Sequence, residues 1–471
     1  MTSAASHGRL RTEVAATFVL ALPIVVGQLL TVAMNTIDTV LAGRLGTAVL
    51  AAVSQGYQLW VVVLLVVIGI MLAVTPSAAQ LDGAGRREAI GAVFRQALWL
   101  AVIAGVLLAL LVRQGEPLLR LAGVAPEIIP DAVGFLRAIS WGAPALALFF
   151  ACKNTSEGLS LSRPTMYFSL LGVAVLLPAA VLFMYGGLGV PAMGATGAGY
   201  AHAVALWSQA LAFLAYLALR PRYRPARLFE RFDGPDPRAI LGLLRIGVPM
   251  GMALFMEGGL FVVTALLVGS LGAVAAGAHA IAINFASLAF MVPLGLAMAT
   301  TVRVGNAVGR RDPQAIGYAA LAGLLLALLA QCFSAGLMFA VPGVVAGWYT
   351  DDAAVLRLAT SLLWFAAVFQ FSDGIQALAN GALRGLKDTL VPAAITVLAY
   401  WAVGFPLGWW LGLERGWGAT GLWVGLIAGL TVAAALLSVR FLVRLRTLRR
   451  HGVPEVMAGE PPPPDPHAPA T

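Results

Sequence analysis

The chain has 471 residues, 60% of them hydrophobic and only 11% charged, with a formal net charge of +9. A soluble domain carries about 25% charged residues, so the composition excludes an ordinary globular protein. The basic balance does not point to nucleic acid either, because the arginines gather in alternate loops between apolar stretches.

Twelve apolar stretches are each long enough to cross a hydrocarbon core of ~30 Å as a helix. They run over 14–40, 47–76, 92–113, 131–155, 164–186, 194–219, 240–270, 274–303, 314–342, 353–381, 389–412 and 417–444. The ~10-residue alternating strands of a membrane barrel are not seen. The fold class is therefore an all-α integral membrane protein of twelve transmembrane helices.

Span 1 is too long for the core of a cleaved signal peptide and is read as retained. It carries Pro23, which removes a helical hydrogen bond and is expected to bend the helix. Gln28, Thr31, Asn35 and Asp38 follow at spacings of 3, 4 and 3, which puts them on one polar stripe. Span 4 ends at Glu157, near Lys153 and Arg163, where a structural ion pair or a gate fits better than cargo binding. Span 6 holds His202, and a lone membrane histidine is more often a hydrogen-bonded interior residue than a proton relay. Span 7 carries Pro249, expected to bend it like Pro23, and Glu257. In span 8, beyond His279, Asn284 and Ser287 share a face and Phe290 follows. In span 10, Gln370, Asp373, Gln376 and Asn380 form a second stripe. Cys152 and Cys332 both fall within spans, so no extracellular disulfide framework is implied.

Arginine placement sets the topology. Arg86, Arg87 and Arg95 follow span 2, six arginines lie between Arg220 and Arg238, and Arg303, Arg310 and Arg311 follow span 8. Arg384 and Lys387 follow span 10, and Arg444, Arg446, Arg449 and Arg450 close the last helix. The opposite loops carry few cations, so the positive-inside rule places both termini in the cytoplasm. Contact with anionic membrane lipid is a secondary expectation.

The chain repeats itself. Pro23 and Pro249, Leu45-Gly46 and Leu271-Gly272, Gly69 and Gly295, and Thr75 and Thr301 all share an offset of 226 residues. Gly194-Ala195-Thr196-Gly197 recurs as Gly418-Ala419-Thr420-Gly421. The expected organisation is an N-terminal lobe over 1–225, a linker over 226–238, a C-terminal lobe over 239–450 and a disordered tail over 451–471. Six spans per lobe is an even number, so the repeats are parallel, about an axis along the membrane normal. Transporters built from such repeats bind substrate between the halves and expose it to alternate sides.

Asp38, Glu257 and Asp373 each lie inside an apolar span without a cation within a helical turn on the same span. A carboxylate in hydrocarbon costs several kcal/mol, so by default it marks an ion or substrate pathway. These acids could carry a proton, or hold Na⁺ with other oxygens around them. An acidic cavity favours cationic or neutral cargo. There is no paired-acid, phosphate-loop or metal-spaced His/Cys signature of an enzyme and no nucleotide-binding domain, so pumping would draw on an ion gradient.

Several of these residues together resemble the multidrug and toxic compound extrusion (MATE) antiporters, in the NorM-like branch, over about residues 10–445. The carriers are Asn35-Thr36-Ile37-Asp38 with Gly43, Glu157-Gly158-Leu159 with Arg163-Pro164, and Glu257-Gly258-Gly259. Phe290-Met291-Val292-Pro293, Arg303-Val304-Gly305-Asn306, and Gly381 with Arg384-Gly385 complete the set. The resemblance implies two six-helix lobes arranged as a V, no cofactor, and export of organic cations in exchange for Na⁺ or H⁺ by what is expected to be a monomer. It implies that Asp38 belongs to an N-lobe acidic site and that Glu257 and Asp373 form a C-lobe cation site. Relatives often carry an Asn-x-Pro-x-Asn pattern in span 5, where this chain has Leu176-Leu177-Pro178-Ala179-Ala180, and some have tyrosine in place of Phe290. The nearest rival reading is a flippase for lipid-linked oligosaccharides or peptidoglycan precursors, whose anionic cargo calls for a cationic cavity.

Overall fold

The computed structural model describes the backbone of residues 3–454 and the side chains of residues 8–454; the tail expected beyond Pro454 lies outside the described residues. Among the described residues, twelve helices are long and apolar enough to span a membrane. They are α1 (Gly8–Leu45), α2 (Thr47–Gly83), α3 (Ala89–Arg113), α4 (Ile129–Gly158), α5 (Arg163–Tyr185) and α6 (Gly194–Leu219) in the first half. The second half holds α7 (Pro237–Ser270), α8 (Ala273–Gly309), α9 (Pro313–Ala340), α10 (Ala353–Gly385), α11 (Leu390–Glu414) and α12 (Ala419–His451).

The helices overrun the apolar stretches because charged residues beyond the hydrocarbon continue the same hydrogen-bond ladder in water. Helix α1 runs unbroken through Pro23 and α7 through Pro249. A turn at Leu72–Ala73 divides α2, a 3₁₀ turn at Ser140–Gly142 divides α4, and α11 contains π-helical turns over Ala399–Gly404 and Trp410–Glu414.

Each half packs its own apolar core. One is built around Trp60, Phe135 and Leu136, the other around Tyr400, Trp423 and Leu362. A separate cluster of Leu20, Ile24, Leu72, Met250 and Leu296 joins them. Val106, Leu107 and Leu110 on α3 and Leu329 and Phe333 on α9 stay exposed, as apolar side chains facing lipid would.

The repeat seen in the sequence is a two-fold relation in space. Gly83 lies against the Asn306 backbone and Gly309 against that of Gln80, too close for a side chain in either case. These two contacts are the same contact displaced by 226 residues. The hydrogen bonds follow suit: Gln80 Nε2 donates to Gly385 O at 2.9 Å and Asn306 Nδ2 to Ser160 Oγ at 2.9 Å. A small cavity between the halves is lined by the equivalent pairs Leu72 and Met298, Thr75 and Thr301, and Glu157 and Arg384. The last pair occupies one place in the repeat with opposite charge.

Among the described residues, hydrogen bonds between the two six-helix halves gather at the arginine-rich end. They include Arg303 Nη2 to Glu13 Oε2 at 2.7 Å and Arg9 Nη1 to Gln314 Oε1 at 3.2 Å. The segment joining the halves is strapped onto α3 at this same end. Arg95 Nε meets Asp233 Oδ2 at 2.6 Å, Trp99 Nε1 donates to Asp233 O at 2.9 Å, and Gln96 Nε2 donates to Gly234 O at 2.9 Å. The halves are thus fastened at one end.

Candidate functional site

The three intramembrane carboxylates fall into two centres, one in each half. In the second half, Glu257 of α7 stands near Asp373 and Gln376 of α10 and Tyr400 of α11. The π turn over Ala399–Gly404 contains Tyr400, and such widened turns recur at functional sites. Its hydroxyl lies 2.7 Å from Gln376 Oε1 and 3.3 Å from Glu257 Oε1, so one phenol proton serves two acceptors. Asp373 interacts electrostatically with Glu257 and has no hydrogen-bond partner among the described residues. Asp373, Gln376 and Tyr400 are buried, whereas Glu257 is half-buried and so the accessible member.

Glu257, Asp373, Gln376 and Tyr400 offer the hard oxygen donors that Na⁺ prefers. No cluster of three or more His, Cys, Asp or Glu occurs among the described residues, so a transition-metal site has no support. Arg384, in the last turn of α10, acts electrostatically on Glu257 and also lines the cavity between the halves with Glu157.

In the first half, Asp38 of α1 is only 3% exposed, and its Oδ2 lies 2.9 Å from His202 Nδ1 of α6. Its Oδ1 is buried without a partner. Tyr57 of α2 lies beside Asn35 and packs its ring 6.4 Å from that of His202. Leu176 and Ala180 of α5, where relatives often carry amides, are buried in the apolar core. His202 supplies the partner that α5 does not.

The remaining sequence candidates divide. Gln28 Oε1 accepts from Lys153 Nζ at 3.3 Å, and Thr31 donates to Gly27 O of its own helix, so only the outer half of the α1 stripe reaches the Asp38 centre. On α10, Gln370 turns to α9 and bonds Gln331 and Ser334, away from Tyr400. Asn380 is half-buried. Asn284 is exposed and accepts from Tyr349 Oη at 3.1 Å, and Ser287 is exposed on the same helix, so neither reaches a partner at the carboxylate centres. Phe290 packs in the apolar cluster joining the halves. Glu157 accepts from Thr165 Oγ1 at 3.0 Å and feels Lys153, while Arg163 is exposed and forms no pair with it. Single-sequence reading missed Tyr400, Arg384 and Tyr57 and rated His202 low. Only an intramembrane histidine in α6 hinted at any of them.

Comparison with known proteins extends this picture. The MatE family profile matches residues 23–182 and again 249–410, the second match beginning 226 residues after the first. "Probable multidrug resistance protein NorM" of Xanthomonas axonopodis pv. citri (strain 306) is 49% identical over 430 residues, covering 91% of this chain and 94% of that protein. "Multidrug resistance protein PmpM" of Pseudomonas aeruginosa is 40% identical over 449 residues, covering 94% of each. Among solved structures, "MATE in the bent conformation" superposes with a TM-score of 0.85 at 20% identity, covering 96% of this chain and 99% of that one. The eukaryotic MATE transporter AtDTX14 gives 0.84 at 18% identity, covering 94% and 99%. At such identities the structures share the fold.

Proposed function

The chain belongs to the MatE family, whose members are transporters and not enzymes, and on that premise we propose that it exports organic cations, including drugs, in exchange for Na⁺ or H⁺. The observation that carries this reading is a buried carboxylate centre in each half of a molecule fastened at one end. Ion arrival at Glu257 and Asp373, or at Asp38, favours one arrangement of the halves, and cargo favours the other. Only such differential affinity can drive exchange.

Each centre supports the reading in its own way. The unpartnered Oδ1 of Asp38 is a buried acceptor left open to an incoming ion or donor. The oxygens of Glu257, Asp373, Gln376 and Tyr400 suit either a proton or Na⁺. Arg384 links the second centre to the junction, because its charge faces Glu257 on one side and the cavity shared with Glu157 on the other. Neutralising Glu257 changes the field at Arg384 and hence its balance between the two acids.

The arginine-rich end is the cytoplasmic end by the positive-inside rule, with both termini there and the chain acting as a monomer in the cytoplasmic membrane. The test is efflux of a fluorescent organic cation from proteoliposomes with Na⁺ and pH gradients imposed separately. Efflux driven by one gradient alone is the expected result and identifies the ion. No efflux under either gradient, from folded and correctly oriented protein, overturns the proposal.

A further inference from the structure

We propose that a basic cleft at the arginine-rich end binds a phosphate group, carried by an anionic lipid headgroup or by free phosphate, and that the bound group ties the two halves together there. The inference is independent of which cargo or coupling ion the protein uses. The cleft, of about 680 Å³, lies between α1, the start of α5 and the Pro221–Ala226 turn, with Arg303 of α8 at its inner edge. A second cleft of about 370 Å³ shares Ser160, Arg222 and Arg303 with the first and adds Arg87, Asn306 and Arg310.

The charge in these clefts is not balanced by protein. Asp82 is taken by Arg87 at 2.6 Å, and Glu13 by Arg303 at 2.7 Å. Arg163, Arg222 and Arg310 are exposed and have no hydrogen bond or ion pair among the described residues. Surface arginines usually just face water, but Arg163 and Arg222 line the larger cleft and Arg222 and Arg310 the smaller one, where like charges repel and an anion is drawn in.

Two further features point to phosphate. The 23-residue helix α5 begins at this wall with Arg163, so the partial positive charge of its N-terminus adds to the field of the cleft. Guanidinium groups also match phosphate oxygens in a fixed fork. The opposite wall is apolar: Ala15, Ala16 and Val19 of α1 line it, and Val19 is 62% exposed. Tyr167 and Tyr216 stand at the same level, as aromatic side chains do at a headgroup layer. A basic pocket beside a lipid-facing apolar wall is the shape that receives a headgroup with its acyl chains.

The consequence for the molecule follows from ownership of the arginines. In the larger cleft Arg163 and Arg222 belong to the first half and Arg303 to the second; in the smaller one Arg222 belongs to the first half and Arg303 and Arg310 to the second. A phosphate between them adds bonds that exist only while this end is closed, so it shifts the population toward the closed arrangement. The existing contacts across the same seam, Asn306 to Ser160 and Arg303 to Glu13, show that the two walls are already within reach of one small ligand.

The experiment is thermal unfolding of the full chain in neutral detergent with added phosphatidylglycerol, phosphatidylcholine or inorganic phosphate. Native mass spectrometry runs alongside to count retained lipid. Phosphatidylglycerol should raise the melting temperature saturably and more than phosphatidylcholine, with the shift shrinking as salt rises. An equal shift from inorganic phosphate would assign the site to the free anion; a shift from phosphatidylglycerol alone assigns it to lipid.

The Arg163→Gln/Arg222→Gln double variant should weaken the apparent affinity about 30-fold, roughly fivefold per arginine near a charged surface. Arg446→Gln/Arg450→Gln, with the same charge loss at the exposed end of α12, should keep the wild-type response. Should the first variant fold poorly, Arg163→Lys/Arg222→Lys keeps the charge but loses the fork and should show an intermediate affinity. The proposal is overturned if neither anion stabilises the wild type, or if both double glutamine variants respond alike.

Discussion

Substituting Gly247 tests whether close backbone approach holds the two halves together. Gly247 of α7 faces Ile70 of α2 across the seam, and a Cβ there would stand 2.5 Å from Ile70 O and 2.7 Å from its Cα. Ordinary contact begins at 3.4 Å, so Gly247→Ala requires α2 and α7 to part locally by about 0.9 Å. Backbone atoms cannot swing aside as a side chain could. Overpacking of this kind costs about 1–3 kcal/mol.

Apart from Leu243 and its α7 neighbours, which pack into the first core, each half has its own core, so the strain is relieved more cheaply by parting the halves than by unfolding either one. A shift of 1.4 kcal/mol is tenfold in population, so the open arrangement of the arginine-rich end should gain roughly 5- to 150-fold. Spin labels at exposed Glu88 and Arg450, on a background lacking Cys152 and Cys332, would read the distance between halves by pulsed electron resonance. Gly242→Ala on the same helix, where an added Cβ meets nothing within 4 Å, is the control. An unchanged distance distribution in Gly247→Ala, with wild-type melting, would refute the argument.

Four further outcomes are expected. Glu257→Gln and Asp373→Asn should each abolish gradient-driven export while leaving membrane insertion and melting near wild type; undiminished export would remove these acids from the mechanism. Tyr400→Phe deletes the hydroxyl bonded to Gln376 and Glu257, a loss of about 1 kcal/mol or more. The coupling-ion concentration for half-maximal export should rise at least about fivefold, and an unchanged value counts against the site. Arg384→Gln should still bind the coupling ion but lose the ion-induced change in distance between the halves, whereas a wild-type response would sever the link drawn to Glu157. Lys387, in the loop between α10 and α11, has its ammonium lowered to about 8 by burial. Its neutral, reactive fraction therefore grows as pH rises through 8, while an exposed lysine waits until about 10.4. Since the chain has only Lys153 and Lys387, mass spectrometry after pulsed acylation across pH 7–10 reads this directly, and half-labelling near 10 contradicts it.

Hydropathy alone determined the number and order of the spans, because crossing ~30 Å of hydrocarbon is a demand each helix meets by itself. The repeat was equally legible: Gly69 and Gly295 or Thr75 and Thr301 recur at a fixed offset whatever they touch, and the family profile matches twice at that offset. The three acids stood out because a buried charge is conspicuous in any apolar segment. What these acids pair with was not legible.

Asp38 and His202 are 164 positions apart, and Tyr400 and Glu257 are 143 apart, distances over which no periodicity carries information. Each polar stripe lies along a single helix by its spacing, yet α10 sends Gln370 to α9 and Gln376 to α11. The face seen by one neighbour is set by where that neighbour packs. Asn284 and Ser287 share a face for the same local reason, but packing leaves that face exposed, with Asn284 bonded to Tyr349. Composition and spacing fix what each helix must do alone in a membrane. Only the close packing of two duplicated halves decides which polar groups meet, because each meeting depends on the placement of two helices at once.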